Sequence, residues 1–155
     1  MGSVLAQLEQ SGLATWIRES GVLYGYPLIL FLHTLGMGTV VGLSWAIDLR
    51  LLGVAPGIPL ASLRKTFGLM WAGIALSALT GTLLFVSDAV KHGSNPAFYV
   101  KLLFVFLAVV ALIAVRRRVF DGGQRGRLLA AVSLACWFIA LSAGRLMAYV
   151  SEFIS

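Results

Sequence analysis

Four apolar runs constrain this chain more than any other feature. They fall at about residues 24–47, 67–87, 97–115 and 128–150. Each is long enough, at about 1.5 Å of rise per helical residue, to cross a hydrocarbon core of roughly 30 Å. Hydrocarbon offers the backbone no hydrogen-bond partner, so such runs must bond internally and form helices rather than open strands. The predicted fold is therefore all-α and integral to a membrane: a bundle of four transmembrane helices preceded by a short interfacial segment over residues 1–20. Only 12% of residues are charged, about half the usual share of a soluble domain, which excludes a soluble globular reading.

The chain carries a net charge of +6, and its basic residues gather at segment ends. Arg50, Arg64, Lys65, Arg116, Arg117, Arg118, Arg125 and Arg127 fall on one side; Arg18, Lys91, Lys101 and Arg145 fall on the other. The positive-inside rule places the first group in the cytoplasm and both termini outside. Tyr24, Tyr26, Tyr99 and Tyr149 then lie at the outer ends, with Trp45 and Trp71 near the inner ends, as aromatic belts require. This distribution is membrane topology and not a nucleic-acid footprint. No basic stretch and cleavage site precede the first span, so that span is expected to serve as the targeting signal. In residues 3–19, Leu5, Leu8, Trp16 and Ile17 share an apolar face, which predicts one or two short helices on the outer surface. Asn95-Pro96 is placed to start the third span, while Pro56-Gly57-Ile58-Pro59 and Asp121-Gly122-Gly123 mark turns. The single cysteine, Cys136, excludes an intrachain disulfide and reads as a small packing residue.

His33 is the residue most expensive to keep where it is. An ionisable ring at membrane depth reads first as a functional site with a partner. At 100° per residue it shares a stripe of the first span with Tyr26, Gly36, Met37, Val40 and Ser44, with Asp48 nearby. Gly38 and Gly42 lie on nearly the opposite face, a spacing that lets helices approach closely; a helix of the same chain and a second protomer are equal candidates for that contact. The second span carries a stripe of Ser77, Gly81, Leu84 and Asp88, and the fourth one of Phe138, Ser142, Arg145 and Tyr149. Arg145 is five residues from its helix end, roughly 7–8 Å deep, and Lys101 is about one turn into the third span. Together these predict a polar cavity open to the outside, with His33 at its floor and cations nearer its mouth.

Plainer readings stand beside this one. Lys101 and Arg145 near helix ends can snorkel to the interface. Asp88 can cap a helix or pair with Lys91, and His33 can be a satisfied interhelical donor. Asp48 and Arg50 read as an interfacial pair that anchors orientation, and His92 as a solvated loop residue.

Three functions fit the pattern. The first is haem b binding for electron transfer, with His33 on iron, Gly36 and Gly81 giving room, Lys101 and Arg145 meeting the propionates, and Tyr149 on the Arg145 stripe completing the set. No second histidine lies within a span, so such a haem would be five-coordinate, reach His92, or be shared across a dimer. The second is copper handling through His33 and Met37, four apart on one face, with Met147 toward the outer end of the fourth span. The third is a non-catalytic anchor or assembly subunit of a membrane oxidoreductase. Hydrolytic triads, phosphate loops and zinc spacings are missing from the sequence.

The runs His33-Thr34-Leu35-Gly36, Asp48-Leu49-Arg50-Leu51-Leu52-Gly53, Gly81-Thr82-Leu83-Leu84-Phe85, Asn95-Pro96-Ala97-Phe98 and Gly144-Arg145-Leu146-Met147-Ala148-Tyr149 resemble a family of small bacterial four-helix inner-membrane proteins, a domain of unknown function. The chain is more loosely similar to copper-resistance D type proteins and membrane b-type cytochromes through its histidine-glycine first span. The resemblance implies the four-helix fold and little else. The sequence reading as a whole expects a bacterial inner-membrane protein, a homo-oligomer or subunit of a larger complex, passing electrons to a periplasmic redox partner. It takes in His33, Asp48, Arg50, Asp88, Lys101, Arg145 and Tyr149, and leaves His92 outside the motif.

Overall fold

The computed structural model describes residues 2–20, 24–123 and 125–153. Two short helices, α1 (Gly2–Glu9) and α2 (Gly12–Glu19), precede the long α3 (Tyr26–Leu52). A turn-length α4 (Leu60–Lys65) leads into α5 (Phe67–Ser87), and α6 (Ala89–Gly93) leads into α7 (Pro96–Val115). A π-helical turn (Arg116–Asp121) and a short loop join α7 to α8 (Arg127–Phe153). Four of the helical stretches are long and apolar enough to cross a membrane. The protein is an all-α, multi-pass membrane bundle.

The helix ends follow local chemistry. Pro27 sits in the first turn of α3, where its missing N–H costs nothing. Asn95 caps α7 by accepting from the Ala97 amide at 3.0 Å, with Pro96 next to it, as the Asn95-Pro96 pair predicts. The far end of α3 runs to Leu52, beyond the expected stop near residue 47. Its stop signal is Gly53, whose φ of +88° is a left-handed conformation that glycine adopts without strain. There the Gly53 amide bonds Arg50 O at 3.2 Å and the Val54 amide bonds Leu49 O at 3.0 Å, which satisfies two terminal carbonyls.

Around the bundle the order is α5, α3, α8, α7, with α3 packed on both α5 and α8 and α7 packed on α8. The ring closes between α5 and α7 at both ends. At the arginine-rich end, Phe67 and Met70 of α5 share a core with Leu112 and Val115 of α7 and Ile47 of α3. At the other end, Phe85 of α5 stacks on Phe98 of α7 with ring centroids 5.3 Å apart. Between them, Val40 and Val41 pack on Ala108, Cys136 and Trp137; Cys136 is a buried packing residue with a free thiol.

The N-terminal helices clamp the C-terminal end of α5. Ala14 and Ile17 of α2 are buried, Ile17 with Ile29 and Leu84. Trp16 and Leu13 of the same helix stay exposed, an amphipathic split. Arg18 donates to Ser87 O at 2.7 Å and to Glu9 O at 2.9 Å, and the Glu9 carboxylate accepts from the Val90 amide at 2.9 Å.

Candidate functional site

His33 lies half-buried on the face of α3 that meets α5. The two helices cross where neither carries a side chain: Cβ atoms added at Gly36 and Gly73 would each stand 3.0 Å from the other glycine's carbonyl oxygen. One turn from this crossing the imidazole lies against Gly81, so closely that a Cβ there would stand 3.0 Å from His33 Cε1. The space that Gly36 and Gly81 were expected to give a cofactor ring is thus taken by the helix crossing and by the histidine itself.

The hydrogen bonds of the ring fix its tautomer. Nδ1 is 3.0 Å from Ser77 O and 3.2 Å from Thr80 Oγ1. Ser77 O can only accept, and Thr80 already donates its one proton to Leu76 O at 2.6 Å. Both neighbours of Nδ1 are therefore acceptors, and Nδ1 carries a hydrogen. The remaining nitrogen, Nε2, has no hydrogen-bond partner among the described residues, and it is not one of their sealed-off polar atoms. An imidazole tethered through Nδ1–H to a backbone carbonyl, with Nε2 open, is how proteins orient a histidine that ligates metal.

Lys101 belongs to this region. Its stem crosses Gly144 of α8, with Cδ 3.7 Å and Nζ 4.0 Å from where a Cβ would sit, so the side chain runs along the bundle rather than out of it. It is half-buried, within electrostatic reach of His33, and has no ion-pair partner among the described residues.

Arg145 and Tyr149 do not join them. Both are exposed, on an outward face of α8 shared with Phe138 and Leu146. The inward face of α8 is instead the series Ala130, Ser133, Cys136, Trp137, Ala140 and Ala143. Polarity predicted the wrong face. Small residues at three- and four-residue spacing, the feature that lets membrane helices approach, mark the right one. Gly38 and Gly42 also lie open, with nothing within 4 Å of an added Cβ, so the same-chain contact considered for them is not made among the described residues.

Asp48 and Arg50 are not a pair. Residues two apart do not face each other on a helix. Arg50 turns outward and donates from Nε to Ile58 O at 2.6 Å. Asp48 is 1% exposed and lies beside the hydroxyls of Ser44 and Ser133, with Oδ2 unpartnered. Trp137 Nε1 donates to Ser44 Oγ at 3.0 Å, and Ser44 Oγ is 3.3 Å from Ser133 Oγ. Ser133 and Trp137 were missed because both lie more than 80 residues along the chain from Asp48. Asp88 makes no pair with Lys91 among the described residues; its carboxylate accepts from Ser87 Oγ at 3.4 Å. His92 is part of α6 rather than a free loop residue, donating from Nδ1 to Asp88 O at 2.8 Å with its ring edge-on to Phe98.

Met37 packs with the Val40, Ala108 and Trp137 cluster. No group of three or more His, Cys, Asp or Glu side chains suited to hold a metal occurs among the described residues. No protein-family model, curated protein or solved structure matches the chain.

Proposed function

We propose that this chain is a membrane haem b-binding subunit used in electron transfer, with Nε2 of His33 as its ligand to iron. One observation carries the proposal: Nδ1–H is held by Ser77 O and Thr80 Oγ1, which leaves Nε2 free and oriented within an apolar span. Lys101, half-buried and without an acidic partner among the described residues, is the cation suited to a propionate. When bound, haem supplies one-electron redox chemistry; the protein's share is to orient the ligand and keep its surroundings apolar.

The residues present would supply one ligating nitrogen and one cation, and no more. Gly36 and Gly81 are occupied by packing, and Arg145 and Tyr149 face outward. The second ligand and wall therefore come from another polypeptide, a second copy or a larger complex seated on an open face such as Gly38/Gly42. Under the positive-inside rule the arginine-rich end is cytoplasmic, both termini are outside, and His33 lies toward the periplasmic side of a bacterial inner membrane, facing a periplasmic redox partner. Copper is the weaker cofactor, since Met37 is engaged in core packing. A non-catalytic anchor subunit is the second reading, favoured by the open Gly38/Gly42 face.

Oxidised and reduced visible spectra of the detergent-purified protein test the proposal. A Soret band and reduced α-band are expected, lost in His33→Ala. Thr80→Val should weaken haem retention by about tenfold, the usual worth of a group that orients a metal-bound histidine. Full haem occupancy in His33→Ala rules out the ligand assignment. A colourless protein that still assembles into a larger complex leaves the anchor reading.

A further inference from the structure

At the opposite end from His33, a cleft of about 380 Å³ opens between the ends of α3, α4 and α8 and the π-helical turn. Arg50, Arg125 and Arg127 line it, against a wall of Leu51, Leu60 and Val119. No acidic residue is part of the lining. Arg64 and Asp121, 2.9 Å apart, form the ion pair at this end among the described residues, and neither reaches the three lining arginines. The Arg50 guanidinium is steadied by its bond to Ile58 O. Arg125 and Arg127 have no hydrogen-bonded side-chain partner among the described residues. The first turn of α8 starts here, with the Ala130 amide bonding Gly126 O at 2.8 Å, so the preceding amides have no acceptor within the helix. Three arginines thus line a cleft beside a helix N-terminus, and Arg offers paired donors that match phosphate oxygens.

We propose that this cleft binds the phosphate of an anionic phospholipid. Its position where the apolar spans end, with leucine and valine beside the cations, suits a headgroup with its glycerol and acyl root more than a free ion. Basic pockets between transmembrane helices take such headgroups. The proposal is independent of haem binding, because the two sites lie at opposite ends of the bundle.

The test uses the full chain in detergent micelles doped with phosphatidylglycerol or phosphatidylcholine, read by native mass spectrometry and by thermal shift. Phosphatidylglycerol should remain bound and raise the melting temperature saturably; phosphatidylcholine should not. The double variant Arg125→Gln/Arg127→Gln should lose on the order of tenfold or more in phosphatidylglycerol affinity, the worth of at least one hydrogen bond to a charged group. The charge-matched control Arg116→Gln/Arg117→Gln should lose only a few-fold. Adding Arg50→Gln should deepen the loss; if that triple variant does not fold, the double variant still decides. Equal losses in variant and control mean diffuse charge and overturn the site. Indistinguishable lipids overturn it too. Inorganic phosphate that matches phosphatidylglycerol in the thermal shift and competes it off overturns the lipid as occupant.

Discussion

Gly36→Val should prevent α3 from seating on α5. A Cβ at Gly36 stands 2.5 Å from Ser77 Oγ, 3.0 Å from Gly73 O and 3.2 Å from the Ser77 amide nitrogen. A hydroxyl can rotate away; two backbone atoms of a helix cannot, short of moving the helix. Valine adds two methyl groups beyond that Cβ. Overpacking a well-filled site costs about 1–3 kcal/mol and occasionally more, and this change also opens the α3–α5 contacts that flank the crossing. Against a net stability of about 5–15 kcal/mol, a melting temperature lowered by several degrees or more is the expected result. Thermal unfolding in detergent, followed by tryptophan fluorescence, is the measurement. Gly38→Val supplies the control on the same helix, because nothing lies within 4 Å of its Cβ; its melting curve should overlay the parent's. If Gly38→Val unfolds the protein as readily, the crossing is not what holds α3. If it leaves the melting curve alone but changes oligomer size, the Gly38/Gly42 face is where chains meet.

The same crossing shows what was legible in the sequence. Helix number and order follow from bilayer thickness and hydropathy, which need no tertiary information. The two stripes, His33 with Gly36 on one span and Ser77 with Gly81 on another, were also legible, because a 3.6-residue period puts each set on one face; that the imidazole itself, and not a cofactor ring, fills the space at Gly81 was not. Thr80 was not, since its role depends on a hydroxyl proton already given to Leu76 O. The end of α3 was misplaced because Asp48 and Arg50 read as an interface. Their charges point to different places, and the helix continues to the glycine that can stop it. Arg145 and Tyr149 were misassigned for a related reason. In water the polar stripe of a helix faces out and the apolar one in. In lipid no such contrast exists, and the inward stripe is set by side-chain size. Ala130, Ala140 and Ala143, with Ser133, carried that signal.

Trp137→Ala should cost the most of any substitution in the middle of the bundle, about 3–5 kcal/mol for an indole truncated in a core. Trp137 is 1% exposed and packs with Val40, Val41, Ala108 and Cys136. Trp137→Phe separates the ring from its N–H. It should cost only about 1 kcal/mol net for the lost bond to Ser44, because that hydroxyl keeps Ser133 as a neighbour. Asp48 behaves differently. Its carboxyl has an unpartnered oxygen and no cation within ion-pair distance among the described residues. Burying a charged group without a partner is costly, and replacing it by a neutral group of the same shape removes that cost. Asp48→Asn should therefore melt at or above the parent temperature, while Asp48→Ala, which empties the site beside Ser44 and Ser133, should melt below it. A drop in Asp48→Asn as large as in Asp48→Ala would mean that the negative charge itself is held by a partner, and the cluster would have to be redrawn around a bound cation. A gain in Asp48→Asn leaves a carboxyl kept deep in the bundle at the expense of stability. At membrane depth such residues are retained for what they do rather than for what they hold together.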